Sequence, residues 1–316
     1  MKLLEIKNLN IGFDLSDGYQ QAIYDVSFFL EKGETLAIVG ESGCGKTVST
    51  MSVLKLLPPT AKITSGEIFY NGENLLNFDE KQMQKIRGKK IALIPQDPMT
   101  SLNPLYTIGN QLLEIIELHQ GLKGKQAYDV AVEALKKVKI PDAEEKMKAY
   151  PHQFSGGMKQ RVIIAMALAC NAEIIIADEP TTALDVTVQA QIMEILREIK
   201  NKFGVSIILI THDLGVVSQN ADKVAVMYAG RIVEYSAIKN IFENQKHPYT
   251  KALLNVILDI NSTKVETIEG HPPSIEEHIS GCPFHPRCNY CMEICTKEYP
   301  KTKNVEGTCV NCHLYD

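Results

Sequence analysis

The most informative stretch of the sequence is rich in glycine and reads Gly40-Glu41-Ser42-Gly43-Cys44-Gly45-Lys46-Thr47. It follows a uniformly apolar run at residues 35–39 and precedes a segment that can form a helix. In that context the pattern G-x-x-x-x-G-K-[ST] binds phosphate. Glycines let the backbone bend so that successive amides point at an anion, and the start of the following helix adds partial positive charge. The stretch therefore predicts a phosphate-binding loop.

The loop supplies candidate contacts to a nucleoside triphosphate such as ATP. Lys46 is expected to bridge the β and γ phosphates, and the Thr47 hydroxyl is expected to ligate a Mg²⁺ ion that fixes the γ phosphate for attack. Cys44 is interpreted as a small loop residue and not as a nucleophile. Further contacts are expected from the loop and the residue after it, namely Gly40, Ser42, Gly43, Cys44, Gly45 and Val48.

Other apolar runs predict an α/β fold with a parallel-sheet core. The runs at 91–94, 174–177 and 205–210 are uniformly apolar and have polar flanks, as in strands that are covered on both faces. Residues 3–10 and 22–30 alternate instead, which predicts an N-terminal antiparallel β subdomain.

Between two of these strands the apolar spacing becomes helical. Apolar residues recur every three to four positions at 108–119, 125–138 and 160–169, with breaks at Pro141 and Pro151. We predict a helical subdomain at about residues 97–165.

Composition and charge exclude several classes of protein. The chain has 316 residues, of which 45% are hydrophobic, and this is enough for a large domain with a core. Its net charge of −5 has no blocks of like charge, so no nucleic-acid partner is expected. The N-terminus lacks a signal-peptide pattern, and the apolar stretch 162–177 is shorter than the roughly 20 residues of a membrane-spanning helix. We expect a protein of the cytosol that reaches any membrane through a partner.

Two carboxylates follow the apolar run 174–177. Asp178 is expected to hold the Mg²⁺ shell, and Glu179 to orient and deprotonate the attacking water. Because neighbouring strand residues point to opposite sides, the two side chains are expected to face different groups.

Several motifs follow one another in a characteristic order: the phosphate loop, Gln96, Phe154-Ser155-Gly156-Gly157-Met158-Lys159-Gln160-Arg161, Asp178-Glu179, Asp185 and His212. This series resembles the ATP-binding-cassette ATPase family over residues 1 to about 260. The resemblance implies a P-loop NTPase (RecA-like) core with a helical signature subdomain. The sequence departs from the family pattern at Phe154, Met158 and Val48, where leucine, glutamine and a hydroxyl residue are usual.

The resemblance also implies roles for single residues. Gln96 would ligate or sense Mg²⁺ and the water, and His212 would contact the γ phosphate. Asp185 would act across a head-to-tail dimer with a second ATPase subunit. In that dimer the signature Ser155-Gly156-Gly157 would contact the γ phosphate bound by the other subunit.

One aromatic residue is expected to stack on adenine. The family places it before the second strand, and Phe13 fits that position better than Tyr19 or Tyr24. The alternative is that Phe13 is a core residue.

Three further stretches, at 40–44, 96–104 and 247–250, resemble the dipeptide and oligopeptide importer branch of the family, of the dipeptide permease ATP-binding type. The resemblance implies two transmembrane permease subunits, an extracytoplasmic peptide-binding protein as an indirect partner, and a place at the cytoplasmic face of the membrane. We expect the second ATPase subunit to be a paralogue. Nickel importers share these stretches, so nickel remains an alternative cargo.

The last 35 residues contain six cysteines, which suggest a metal that staples a tail too small for its own core. Spacing alone favours a zinc ribbon of Cys288, Cys291, Cys309 and Cys312. The family pattern marks Cys282, Cys288, Cys295 and Cys312 instead, and we prefer this set as the ligands of a [4Fe-4S] cluster. Zinc and an unligated tail stay open. The predicted domains are therefore a cassette at 1–259 and a Cys-rich region at 260–316.

Two other classes of function are weighed against transport. A soluble cassette ATPase that clamps nucleic acid or ribosomes would need a long coiled coil or a second cassette, and the sequence has neither. A redox sensor with a vestigial cassette is disfavoured because Lys46, Asp178, Glu179 and His212 are all intact.

Overall fold

The computed structural model describes residues 2–16, 18–182, 184–258, 268–277 and 279–316. The predicted domain boundary at 259/260 lies outside the described residues. The chain divides into two compact units, Met1–Asn77 with Ile210–Asp316, and Phe78–Leu209.

The apolar runs at 35–39, 91–94, 174–177 and 205–210 correspond to strands of the structure, with helices between them. The strands are β1 (Lys2–Leu15), β2 (Gly18–Glu31), β3 (Thr35–Val39), β4 (Ala61–Tyr70), β5 (Glu73–Asn74), β6 (Ile91–Ile94), β7 (Ile174–Asp178), β8 (Ser206–Ile210), β9 (Lys223–Tyr228), β10 (Arg231–Ala237), β11 (Lys303–Val305) and β12 (Thr308–Val310). The helices are α1 (Lys46–Met51), α2 (Glu80–Ile86), α3 (Pro98–Ser101), α4 (Ile108–Gln120), α5 (Gly124–Lys137), α6 (Ala143–Lys146), α7 (Gly156–Ala169), α8 (Val186–Phe203), α9 (Leu214–Asn220), α10 (Ile238–Glu243) and α11 (Pro248–Leu258). Within the part of the chain that the structure describes, none of these helices has the length and apolarity that a membrane span requires.

The first unit contains the predicted N-terminal antiparallel sheet, in the order β2-β1-β4-β5. Leu4 and Ile6 of β1 are buried, and after an irregularity in the register between Ile6 and Leu9 so are Leu9 and Ile11, as expected for a sheet with one covered face. A turn at Lys32 and Gly33 joins β2 to β3.

A mixed sheet in the same unit positions the phosphate loop. It runs β11-β12-β10-β9-β3, with β3 parallel to β9 and β9 antiparallel to β10. Every residue of β3 is buried, because both faces of this strand are covered. The loop therefore starts from a rigid strand end.

The C-terminal tail joins that mixed sheet. Strand β12 pairs with β10, with Val310 opposite Glu234, and β11 pairs with β12. Phe284 of the tail is buried against Tyr228 and Tyr249. Strand pairing and a shared core thus hold the tail, whereas a metal staple stays a proposal.

The second unit holds three strands in the order β8-β7-β6, and β6 is parallel to β7. All residues of β7 and β8 are buried, which confirms the covered core strands that the apolar runs predict. Helices α3 to α7 lie between β6 and β7 in sequence, as the change in spacing indicated. Helix α7 begins at Gly156 rather than near 160, because Ser155 caps its N-terminus by accepting from the Met158 N–H.

Candidate functional site

The phosphate loop spans the six residues between β3 and α1 and depends on glycine. Gly40, Gly43 and Gly45 have φ angles of 153°, 79° and 100°, in a region that other residues rarely adopt. A Cβ atom on Gly40 would lie 2.2 Å from the carbonyl oxygen of Met227 in β9. The loop therefore packs closely against the sheet, and only glycine fits at position 40.

Lys46 is the central cation of this loop. Its ammonium group is buried, and it donates to the carbonyl oxygens of Gly40 and Glu41, both at 2.9 Å. Thr47 and Ser42 are exposed at the loop surface, where their hydroxyls are accessible to a ligand. Burial raises the pKa of Cys44, which agrees with a packed loop residue that is not a nucleophile.

The predicted base-stacking residue lies beside the loop. Phe13 lines a cavity of about 190 Å³ together with Tyr24, Gly43, Gly45 and Val48. Tyr19 does not line this cavity, and its ring instead lies over Gly12. The opposite wall comes from the tail, through Ser274, Ile275 and Glu277. Sequence reasoning missed this wall, since no local pattern connects these residues with the loop.

The second unit brings Gln96 and Glu179 together. Gln96 Nε2 donates to Glu179 Oε2 at 3.0 Å, and the Thr182 hydroxyl donates to the same oxygen at 2.8 Å. Asp178 is the buried last residue of β7. Glu179 has left the strand in a left-handed conformation with φ 44°. Strand alternation therefore does not extend to Glu179, because β7 ends at Asp178.

The signature residues lie at the start of α7. Ser155 is exposed, and its hydroxyl accepts from the Met158 N–H at 3.4 Å. A Cβ on Gly157 would lie 2.4 Å from Val188 Cγ1 of α8, so this glycine also allows the two helices to approach. Asp185 caps α8 by accepting from the Val188 N–H at 2.9 Å, and it is exposed as well. Gly156 is the first residue of α7 and follows the capping residue Ser155.

His212 follows β8 in the first unit and is exposed. The structure therefore joins the predicted residues in two groups, the phosphate loop with Phe13 in the first unit, and Gln96 with Glu179 in the second.

Four of the six tail cysteines converge on one small cavity. Its lining includes Cys282, Cys288, Cys295 and Cys312, which is the set that the family pattern marks. Cys291, which is exposed, and Cys309 of β12, which is half-buried, do not line this cavity. Burial raises the pKa of Cys282 to about 12 and that of Cys312 to about 11, so these thiols are protonated at neutral pH unless a cation binds them. Among the described residues, no three His, Cys, Asp or Glu side chains are placed to hold a single metal ion.

A phosphate loop on a buried strand, with a carboxylate pair at the end of another parallel strand, defines a nucleoside-triphosphate hydrolase of the P-loop class. Comparison with known families identifies the family within this class. Residues 23–182 match the family model of the ABC transporters. Residues 233–295 match the oligopeptide/dipeptide transporter C-terminal region. The chain belongs to the ABC transporter family.

Individual relatives resemble nearly the whole chain. The dipeptide transport ATP-binding protein DppD of Bacillus subtilis is 51% identical over 100% of this chain and 95% of its own length. The oligopeptide transport ATP-binding protein OppD of Salmonella typhimurium is 49% identical over 94% of this chain and 89% of its own length. Among solved structures, a dimeric post-hydrolysis state of the ATP-binding cassette MJ0796, bound to ADP and Pi, aligns with a TM-score of 0.66 and 28% identity over 74% of this chain and 98% of that one.

Proposed function

We propose that this chain is the ATP-hydrolysing subunit of an importer for dipeptides or oligopeptides. The observation that carries the proposal is its similarity to DppD and OppD over nearly their full lengths, including the tail. The resemblance of the sequence to the same branch supports it independently of structure.

The geometry supports a division of labour within the ATPase. Lys46 and the loop amides bind the phosphates, and Phe13 stacks on the base. Glu179, which accepts a hydrogen bond from Gln96, takes the proton of the attacking water. The family resemblance assigns Mg²⁺ ligation to Thr47, Asp178 and Gln96. Hydroxyl, carboxylate and amide oxygens suit this hard cation, which offsets the charge of the triphosphate when bound.

Two features support partner subunits. Ser155 and Asp185 are exposed at helix starts, as expected for residues that serve a nucleotide in a second ATPase subunit, and the MJ0796 cassette forms a dimer. After Gln96, the side chains of Met99, Leu105 and Tyr106 are 60%, 81% and 54% exposed. Exposed apolar groups of this kind suit docking to a permease. We infer a head-to-tail pair with a paralogue, bound to two permease subunits at the cytoplasmic face of the membrane and supplied by an extracytoplasmic binding protein.

Transport assays distinguish the possible cargoes. In proteoliposomes that contain the chain with its permeases and binding protein, we expect MgATP to drive uptake of labelled dipeptides or oligopeptides. Labelled Ni²⁺ serves as the competing cargo, and liposomes without ATP are the control. ATP-driven Ni²⁺ uptake without peptide uptake would contradict the proposed cargo and show that the chain serves a nickel importer.

The cysteine cavity supports the finer proposal of a [4Fe-4S] cluster. Four thiolates from Cys282, Cys288, Cys295 and Cys312 are the donor set that such a cluster uses. These four side chains come from four separate points of the tail and surround one cavity. The cluster would add a covalent link between segments that are far apart in the tail.

Spectroscopy of purified protein tests this ligand set. We expect a broad visible absorption band under anaerobic conditions and about four iron atoms per chain. Cys282→Ser should remove the band, whereas Cys291→Ser, a matched change at an exposed cysteine, should leave it intact. One zinc per chain without colour, lost in Cys291→Ser, would contradict the cluster and select the zinc-ribbon set.

A further inference from the structure

The second residue of the phosphate loop is held by the C-terminal cysteine region. Arg287 Nη1 donates to Glu41 Oε2 at 2.8 Å, and Arg287 Nη2 donates to Glu41 Oε1 at 3.0 Å. The Arg287 side chain is only 6% exposed, and that of Glu41 is 24% exposed. A two-point pair fixes the orientation of both groups, and its burial shields it from the screening that weakens surface pairs.

Arg287 is itself anchored by the rest of its donors. Its Nε donates to the carbonyl oxygen of Glu269 at 3.0 Å, and Nη2 also reaches that of Ile268 at 3.4 Å. Its Nη1 also donates to the Tyr228 hydroxyl at 3.3 Å. The guanidinium is therefore a fixed point from which the loop is held, and not a mobile surface cation.

The backbone of Glu41 has a second anchor. Its N–H donates to the Tyr249 hydroxyl at 3.0 Å. The buried ring of Tyr249 packs against Tyr228, with ring centroids 4.6 Å apart, and against Phe284 of the tail at 5.3 Å. We call Tyr228, Tyr249 and Arg287 the loop brace.

Glu41, which the brace holds, also contacts Lys46, the proposed phosphate-binding residue. The carbonyl oxygen of Glu41 accepts from the Lys46 ammonium at 2.9 Å, so a shift of Glu41 would displace a partner of Lys46. The nearby glycines, Gly40, Gly43 and Gly45, make this loop entropically costly to order. Contacts that order a loop before its ligand arrives raise affinity.

Charge gives the ion pair a second effect. Glu41 carries a carboxylate inside a loop that receives a polyanion, and an unpaired carboxylate there would repel it. Arg287 offsets this charge through both of its contacts.

We propose that Arg287 is a positioning residue for the nucleotide site, holding the phosphate loop in its binding conformation through Glu41. The proposal rests on ATP binding by this loop, as proposed above, and is independent of the transported solute and of any metal at the cysteines. It gives the tail a role in nucleotide affinity beyond its own folding.

A double-mutant cycle on MgATP binding by the full-length chain tests this role. We expect Arg287→Met to raise the Kd for MgATP about tenfold or more, while the turnover rate of the assembled transporter at saturating MgATP is retained. In Arg287→Met/Glu41→Gln, with no charge left unpaired, the Kd should rise less than the product of the two single effects. Arg287→Lys keeps the charge but loses the two-point geometry, so its Kd should lie between wild type and Arg287→Met.

Controls separate this role from simple stabilisation of the tail. Lys303→Met removes a tail cation that pairs with Asp316 and does not contact the loop, so its Kd should equal that of wild type. Should Arg287→Met not fold, Glu41→Gln, Arg287→Lys and their combination supply the cycle. A wild-type Kd in folded Arg287→Met, or single effects that multiply in the double variant, would overturn the proposal. A wild-type chain that does not bind MgATP would overturn the proposed function, and the brace with it.

Discussion

Glu179→Gln is expected to lower the turnover of ATP by about 10² to 10⁴-fold while MgATP binding is retained. The amide has the same shape as the carboxylate, and its oxygen can still accept from Gln96 and Thr182, which both donate to Glu179 Oε2. It cannot take a proton from water. Binding is therefore preserved and the chemical step is lost, so a dimer that closes on ATP should accumulate.

The measurement pairs single-turnover hydrolysis by the assembled transporter with size-exclusion chromatography in MgATP. Glu194→Gln is the matched control, since Glu194 is exposed on α8 and pairs with Lys139 at 3.3 Å. It should retain wild-type turnover. If Glu179→Gln also turned over at the wild-type rate, another group would be the base.

The phosphate loop and the covered strands could be predicted because their signals are local. Eight consecutive residues specify the loop, and uniform apolar runs mark β3, β6, β7 and β8. In each case the residues that determine the structure are neighbours in sequence.

The brace could not be predicted, because its members are distant in sequence. Glu41 and Arg287 are 246 positions apart, and a single acidic or basic residue usually indicates a solvated surface. The tail is similar. Strands β11 and β12 have three residues each, too few to show a period, yet they extend the sheet at β10. The prediction of a metal staple rests on the cysteines and on the small size of the tail, and it did not include this strand pairing.

Backbone conformation and helix packing at the site could not be predicted from the sequence either. Glu179 adopts a left-handed conformation that non-glycine residues seldom take, and nothing in its side chain indicates this. The sequence marks Gly157 as a signature residue. Its close approach to Val188 depends on how α7 and α8 pack, and no local pattern indicates this.

Lys46→Met is expected to weaken MgATP binding by about 100-fold or more, because charge-assisted hydrogen bonds to the phosphates are lost together with the cation. The Lys46 ammonium is buried at the centre of the loop, where its charge is poorly screened. Methionine has a similar length and no charge, so the loop can keep its packing. Titration calorimetry with MgATP measures the loss, and thermal unfolding reports whether the fold persists. Lys239→Met is the matched control, since Lys239 is exposed on α10 and pairs with Glu243 at 3.8 Å.

Lys46 and Arg287 both contact the phosphate loop, and their substitutions should weaken MgATP binding by different amounts. We propose that Lys46 contacts phosphate itself, whereas Arg287 acts through Glu41. Lys46→Met should therefore weaken binding more than Arg287→Met does. Once Lys46 is absent, adding Arg287→Met should weaken binding less than it does in the wild-type chain, because one effect of the brace, the positioning of a carbonyl partner of Lys46, is already lost. A full additional tenfold loss in the double variant would show that Arg287 controls the loop amides rather than Lys46, and wild-type binding by Lys46→Met would remove this lysine from the site.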